Sequence, residues 1–207
     1  MEHSKKQEKI SLIGMGSVGM SALSGVRRIM RQNANLQIPY SCSYMQWSGT
    51  ELSTEKGNNP TNAEDIVVNV NDIIDFSKFE RLTFVIAGLE EKTGAQANVI
   101  AEALQKNGNT VIGIGILPYD VEGATEKAKH ALKLLGEKAT ATIVLHNQQI
   151  KEQYGKMPLA SDLQEAHNVI AEVIFHISSN NYRSFIFRYR LKRFIDKLNN
   201  PRVTFYK

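Results

Sequence analysis

Three glycines at the spacing G-x-G-x-x-G follow an apolar run near the start of the chain. Gly14, Gly16 and Gly19 come directly after Ile10–Ile13 and precede a segment with helical periodicity that begins at Ser21. Glycine lets the backbone approach an anion closely, and the N–H groups at the start of a helix attract phosphate. The spacing therefore predicts a phosphate-binding turn, although the same glycines also occur where a strand and a helix merely pack tightly.

A second loop of this kind follows a later strand. Leu82–Ala87 and Thr110–Ile116 are short, continuous apolar runs typical of buried parallel strands. Between them lie a polar loop ending in Thr93-Gly94, a predicted helix over 95–106, and Asn107-Gly108, a typical helix stop. This alternation predicts an α/β fold, a three-layer Rossmann-like and mostly parallel sheet with helices on both faces. Both glycine loops should then lie at the carboxyl ends of their strands and line one crevice.

The remaining segments complete the predicted organisation. Residues 36–40 are expected to form a short strand limited by Pro39, and the polar segment 41–62 is expected to be a loop. Further predicted elements are a helix over 121–135 ending at Gly136, a strand over 140–145, and helices over 159–177 and 185–198. We divide the chain into a nucleotide-binding domain over residues 1–180 and a basic-aromatic C-terminal helix and tail over 181–207.

Composition narrows the classes of function. The chain has 207 residues, and its single cysteine, Cys42, excludes a disulfide framework or a cysteine zinc cluster. The five histidines have no metal-ligand spacing, and the polar N-terminus lacks a secretory h-region, so we expect a cytoplasmic protein. Residues 182–207 hold eight Lys or Arg against one acid. The basic helix predicted in this segment indicates an acidic partner or an anionic membrane surface as its binding partner, whereas nucleic acid is not expected.

The first glycine loop alone also fits an NAD(P)-binding Rossmann protein. Such a domain should offer Asp or Glu about 20 residues later, at the end of its second strand. The matching region here reads IPYSCSYMQW and contains no acid. NAD(P) binding is therefore kept only as an alternative.

Taken together, the two loops resemble the nucleotide-binding core of the FtsZ/tubulin GTPases. IGMGSVGMSAL is similar to that family's I-G-V-G-G-A-G-x-N-A-V, and LPYDVEG to its P-F-x-F-E-G turn. ATIVLHNQQI parallels T-L-I-V-I-P-N-D-R-L, and LASDLQEAHNVIAEVIFHI parallels the helix whose Asp reads guanine. The resemblance implies GTP or GDP as the ligand, with Mg²⁺ only alongside a nucleotide. It implies contacts to the phosphates, ribose and base from Gly14, Gly16, Ser17, Gly19, Ser21, Thr93, Gly94, Glu122, Asn147 and Asn168.

The sequence also departs from the family's pattern. Glu90, Glu91 and Lys92 stand where the family has glycines, and Asn168 stands where it has the base-reading Asp. The family's N-x-D-x-x-D catalytic loop is not found in KLNNPRVTFYK, and its C-terminal domain is not found either, so we assign no catalytic residue.

We therefore expect a divergent FtsZ/tubulin-like protein with weak or no guanine-nucleotide binding. It should act by self-association or other protein contacts in a filament or cell-division-type system. The alternatives are an active GTPase whose catalytic residues come from a partner subunit, and a scaffold with an empty pocket.

Overall fold

A computed structural model of the protein describes residues 8–33, 38–48, 51–53, 75–118, 125–147, 159–179, 187–198 and 203–206. In these ranges seven strands form one sheet in the order β3-β2-β1-β4-β5-β6-β7. Within the sheet, the neighbours in the stretch β2-β1-β4-β5-β6 are all parallel. The edge strands β3 and β7 pair antiparallel with β2 and β6 respectively. The strands are β1 Ile10–Met15, β2 Tyr40–Ser48, β3 Glu51–Ser53, β4 Leu82–Gly88, β5 Thr110–Leu117, β6 Ala141–His146 and β7 Val203–Phe205.

Helices cover both faces of this sheet. They are α1 Gly16–Gln32, α2 Ala97–Lys106, α3 Thr125–Lys138, α4 Leu159–Ser179 and α5 Phe187–Leu198. Alternate strand residues such as Leu12 and Ile86 pack in one buried cluster with α1, α4 and α5. Their neighbours, such as Ile13 and Val85, pack in a second cluster with α2 and α3. The predicted three-layer α/β fold is therefore confirmed.

The two most apolar strands and the helix between them lie where the sequence predicts them. β4 and β5 each extend one residue beyond the predicted runs. The helix stop is also confirmed, because Gly108 adopts a φ of 90° and its N–H donates to the Gln105 carbonyl at 2.9 Å. Gly94–Gln96 forms a short 3₁₀ turn that leads into α2.

The prediction of a loop over residues 41–62 is wrong for Ser41–Ser48, which is most of β2, and for Glu51–Ser53, which is β3. The predicted strand over 36–40 meets β2 only at its last residue, and residues 34–37 lie outside the described part of the chain. β2 escaped detection because serines alternate with its apolar side chains. Ser41 is buried nevertheless, and its hydroxyl lies 3.1 Å from that of Ser11 on β1. A paired hydroxyl can thus occupy a buried parallel strand.

Helix α3 does not end at Gly136, as predicted, but continues to Lys138. Gly136 is tolerated inside the helix because the Tyr206 ring packs against it; a Cβ there would lie 2.6 Å from Tyr206 Cε1. Tyr206 directly follows β7, a strand that the sequence analysis did not identify and that pairs with β6. The absence of a side chain at Gly136 therefore makes room for Tyr206, which follows the edge strand β7.

The C-terminal helix is docked against the rest of the molecule. Leu191 and Ile195 of α5 are buried in the same cluster as α4, and Phe194 stacks on His176 with ring centroids 3.5 Å apart. Tyr189, in contrast, is 65% exposed. The cations of α5 face solvent at Arg188, Arg190, Lys192, Arg193 and Lys197. None of the helices in the described ranges combines the length and the apolarity needed to cross a membrane.

Candidate functional site

The two glycine loops meet at the carboxyl edge of the sheet. Met15 at the end of β1 is in register with Ala87 of β4, and Gly88 of β4 is in register with Ile116 of β5. A Cβ placed on Gly16 would lie 3.4 Å from the Gly94 nitrogen. The prediction that both loops line one crevice is therefore confirmed.

Two glycines allow the two loops to come together. Gly16 begins α1 with a φ of 71°, a conformation that L side chains rarely adopt. Gly94 is buried so tightly against Gly88 that an added Cβ would overlap the Gly88 carbonyl. These two residues allow the start of α1 and the loop after β4 to approach each other.

The carboxylate of Glu91 occupies the start of α1. The Ser17 hydroxyl donates to Glu91 Oε1, and the Val18 N–H lies 3.3 Å from each of the two carboxylate oxygens. The residue before the helix, Met15, supplies no side-chain cap. Because the first N–H groups of a helix have no partner within it, a carboxylate at this place satisfies one of them, that of Val18, and interacts favourably with the helix dipole.

Glu91 is held in this position by its own backbone. Its N–H donates to the Gly88 carbonyl at 3.3 Å, and its carbonyl accepts from the Ala95 N–H at 2.8 Å. The Ser17 hydroxyl and the Val18 N–H, which lie in the turn that the resemblance assigns to the phosphates, are engaged here by Glu91. This role for Glu91 was not expected from the sequence. The available signal was a helix start with no acid in its first turn and no capping side chain.

Beside this filled cradle lies a cavity of about 440 Å³. It is bounded by α1, α4 and the ends of β4, β5 and β6. Much of its wall is apolar, and polar groups come from both glycine loops, β6 and α4. The lining residues are Ser17, Val18, Ser21, Ala22, Gly88, Glu90, Ile116, Leu117, Pro118, Leu145, Asn147, Leu163, Ala166, His167 and Ile170.

The predicted contact residues that the structure describes divide into three groups. Ser17, Ser21 and Asn147 line the cavity. The buried members form the supporting turns, and they are Gly14, Gly16, Gly19, Thr93 and Gly94. Asn168 lies away from this lining, because its side chain is exposed and bonds along α4 to Gln164 at 3.1 Å and Glu165 at 3.5 Å. Glu122 lies outside the described residues.

His167 is a cavity residue that sequence reasoning missed. Its ring packs directly against Gly25 of α1, at a position where a Cβ on Gly25 would overlap the imidazole. Burial lowers the pKa of His167, and the nearby positive charge of Arg28 lowers that pKa further. The side chain is therefore a neutral hydrogen-bonding group at neutral pH. Its position one turn after Leu163, on the apolar stripe of α4, was the signal available in the sequence.

Comparison with known proteins identifies relatives of the chain, although no protein-family model matches it. The cell division protein FtsZ 2 of Halobacterium salinarum is 34% identical over 99 residues, which cover 47% of this chain and 25% of that protein. The cell division protein FtsZ of Aquifex aeolicus is 25% identical over 187 residues, covering 83% of this chain and 51% of that protein. The chain thus spans between a quarter and about half of these relatives' length.

Solved structures show the same fold. An empty FtsZ dimer from M. jannaschii matches with a TM-score of 0.60 at 18% identity, over 84% of this chain and 55% of that one. A protofilament of CetZ2 from Haloferax volcanii with GTPγS bound matches with a TM-score of 0.56 at 20% identity, over 82% and 58% of the two chains. Together these findings confirm the resemblance found in the sequence.

Proposed function

Because this chain carries an FtsZ/tubulin-like domain, we propose that it acts through protein contacts in a filament or cell-division-type system in the cytoplasm. It binds guanine nucleotide weakly or not at all. The observation that supports this proposal is the Glu91 carboxylate, which engages the Ser17 hydroxyl and the Val18 N–H at the start of α1.

Weak binding follows from competition at the cradle. A phosphate would have to displace a carboxylate that belongs to the same chain. The effective concentration of this competing anion at the cradle does not fall when the protein is diluted. It would also approach the charges of Glu90 and Glu91, and like charges a few ångströms apart repel strongly in a partly buried site. Each 1.4 kcal/mol of such cost weakens binding about tenfold.

Assembly is the part of the proposal that comes from the relatives. One matched structure is an FtsZ dimer and another is a CetZ2 protofilament, and both share this fold. By extension, copies of this chain associate with one another without needing a bound nucleotide to complete the contact. The Glu91 carboxylate would then hold the loop after β4 in place of a phosphate.

Nucleotide binding is tested by titration with fluorescent GTP and GDP analogues in the presence of magnesium. We expect no saturation of the wild-type protein below about 0.1 mM, and an affinity at least ~10-fold higher for Glu91→Gly, which empties the cradle. The control is Glu126→Gln, which removes an acid from the exposed surface of α3. Tight binding by the wild type, or no gain in Glu91→Gly, would contradict the proposal.

Assembly and turnover are tested on the same wild-type protein. Sedimentation velocity over a range of concentrations should show species larger than the 23.2 kDa chain with and without GTP. Phosphate release should remain at background. Release that rises with protein concentration would instead favour the alternative of an active GTPase whose catalytic residues come from a partner subunit, and a strictly monomeric protein would exclude self-association.

A further inference from the structure

We propose that a basic cleft on the C-terminal half of α1 binds a phosphate monoester group. The cleft has a volume of about 390 Å³ and is bounded by α1 and the strand β2. The described residues that line it are Ser24, Arg27, Arg28, Arg31, Gln32 and Tyr44. None of them lines the cavity beside the cradle. Arg28 lies roughly 16 Å further along α1 than Ser17, given a rise of about 1.5 Å per residue, so the cleft is a separate site.

The arginines of the cleft are neighbours on one side of α1. Arg31 comes three positions after Arg28 and four positions after Arg27, and residues at these spacings adjoin on a helix surface. Their guanidinium groups therefore line the same cleft. Like charges at these spacings destabilise a helix, and an anion bound between them offsets that repulsion.

The charges of Arg28 and Arg31 are not neutralised within the described part of the chain. Neither residue forms a salt bridge there, and Arg28 donates to the uncharged amide oxygen of Gln164 on α4. Arg27 has a further interaction of its own, so its charge is left out of this count. The carbonyl end of α1 carries only about half a negative charge. Two full positive charges exceed it, and the cleft therefore favours an anion.

Tyr44 adds a buried hydrogen-bond donor to the wall of the cleft. Its side chain is 8% exposed, and its oxygen accepts from Arg27 Nη1 at 2.6 Å. Because a guanidinium group only donates, the hydrogen of the Tyr44 hydroxyl is not used in this bond. Within the described residues nothing accepts that hydrogen. The Arg27 guanidinium also lies over the Tyr44 ring, 5.8 Å from its centroid, and fixes the ring in place. The hydroxyl is thus available to an oxyanion.

This set of donors suits a phosphate monoester better than a carboxylate. A phosphate monoester has three terminal oxygens and a charge of about −1.5 to −2 at pH 7, which two arginines can match. Guanidinium groups bind pairs of phosphate oxygens, and the Tyr44 hydroxyl can reach a third. A carboxylate offers two oxygens and a single charge. The cleft also falls within the range of about 300–1,000 Å³ that is common for small-ligand sites, so it has room for an organic group beyond the phosphate.

The test compares phenyl phosphate, a dianion at pH 7.5, with benzenesulfonate, a tetrahedral monoanion of similar size. The purified full chain is titrated with each probe, and the NMR signals of the arginine Nε–H groups are followed. We expect saturable shifts at Arg28 and Arg31 and binding of phenyl phosphate at least ~10-fold tighter than that of benzenesulfonate. Failure of phenyl phosphate to saturate below about 1 mM, or equal affinity for both probes, would overturn the proposal.

Variants assign the binding to the cleft. Arg31→Gln removes one charge at an exposed position and should weaken binding of phenyl phosphate about 10-fold. Tyr44→Phe removes the buried donor and should weaken it about fivefold. Lys133→Gln, which removes an exposed cation from α3, should bind like the wild type. Circular dichroism verifies that each variant is folded. Unchanged affinity in folded Arg31→Gln would show an adventitious surface anion only and refute the assignment.

A soluble molecule and the lipid headgroup of phosphatidic acid both present a phosphate monoester, and vesicles distinguish these two sources. Co-sedimentation is measured with vesicles that contain either phosphatidic acid or phosphatidylserine. A lipid source requires Arg31→Gln to weaken binding to phosphatidic acid more than binding to phosphatidylserine. Equal effects on the two lipids, together with loss of phenyl phosphate binding, assign the site to a soluble ligand. Both results support the site. None of these outcomes depends on Glu91, so the proposed function is tested separately.

Discussion

Glu91 supplies the start of α1 with a hydrogen-bond acceptor from within the chain. The start of α1 has no acid in its first turn and no side-chain cap from Met15, so its N–H groups need an external acceptor. A nucleotide phosphate is one acceptor, and the Glu91 carboxylate is another that is always present. The glycine loop thus keeps its shape, while one side chain occupies donors that such a loop usually offers to a phosphate.

His167 gives the molecule a pH dependence that can be assigned a sign. Burial first, and Arg28 second, lower the pKa of His167 below its ordinary value of 6.5. The unfolded chain therefore binds protons that the folded chain does not, and stability falls as the pH drops below about 6.5. His146 and His176, whose pKa values burial also lowers, contribute in the same direction.

We therefore predict that His167→Gln shows a smaller loss of stability between pH 7.5 and pH 5.5 than the wild type. The measurement is the free energy of unfolding from urea denaturation at each pH. Asn168→Ala, altered at the neighbouring exposed position, should keep the wild-type dependence. An unchanged dependence in His167→Gln would mean that this imidazole has the same pKa in the folded and unfolded chains.

At the scale of elements, the helices and strands predicted most accurately from the sequence are those whose local residue pattern and tertiary packing favour the same structure. β4 and β5 are continuous apolar runs buried on both faces, and α2 lies between them with a glycine stop at Gly108. The strands β2 and β7 were not predicted from the sequence, each for a different reason. Ser41 of β2 is buried and its hydroxyl pairs with that of Ser11 on the neighbouring strand, and β7 has three residues whose pairing with β6 no local pattern reveals.

Helix α5 illustrates how packing decides between two interpretations of one amphipathic pattern. Its charged surface was visible in the sequence, but whether its apolar side faced a membrane, a partner or its own domain depended on the tertiary structure. Leu191 is 2% exposed and lies in the cluster shared with α4, so the apolar side is used within the domain.

We predict that Leu191→Ala lowers the free energy of unfolding by about 2–5 kcal/mol, the range for large-to-small changes in well-packed cores. Arg190→Ala, one position away on the exposed side, should change it by less than about 0.5 kcal/mol. Urea denaturation followed by circular dichroism measures both. Similar, small effects in the two variants would mean that α5 is not docked in solution.

At the scale of the whole molecule, the site could be predicted in part. The two glycine loops were identified from motif spacing, and their convergence followed from the parallel sheet. The filling of the cradle by Glu91 could not be predicted, because it depends on the distance between the loop after β4 and the start of α1. The same holds for His167, whose role depends on how α4 crosses α1 at Gly25.

The charge distribution of the molecule determines how it meets an anionic surface. Because Leu191 and Ile195 are buried, α5 can offer such a surface its cations but not its apolar side. The exposed cations are Arg188, Arg190, Lys192, Arg193 and Lys197. Each basic residue near an anionic membrane contributes about 1 kcal/mol at physiological salt, a contribution that screening removes as the Debye length shortens.

We therefore predict that the protein binds phosphatidylserine-containing vesicles at low salt and is released at about 0.5 M NaCl, as measured by vesicle co-sedimentation. Arg190→Gln combined with Lys192→Gln should weaken binding about 30-fold, given about 1 kcal/mol for each charge. Lys133→Gln, an exposed position on α3 across the sheet, is the control. Binding that persists in high salt would require the apolar side of α5 to enter the bilayer. That outcome would contradict the docked helix, because the same side chains cannot be buried against α4 and in lipid at once.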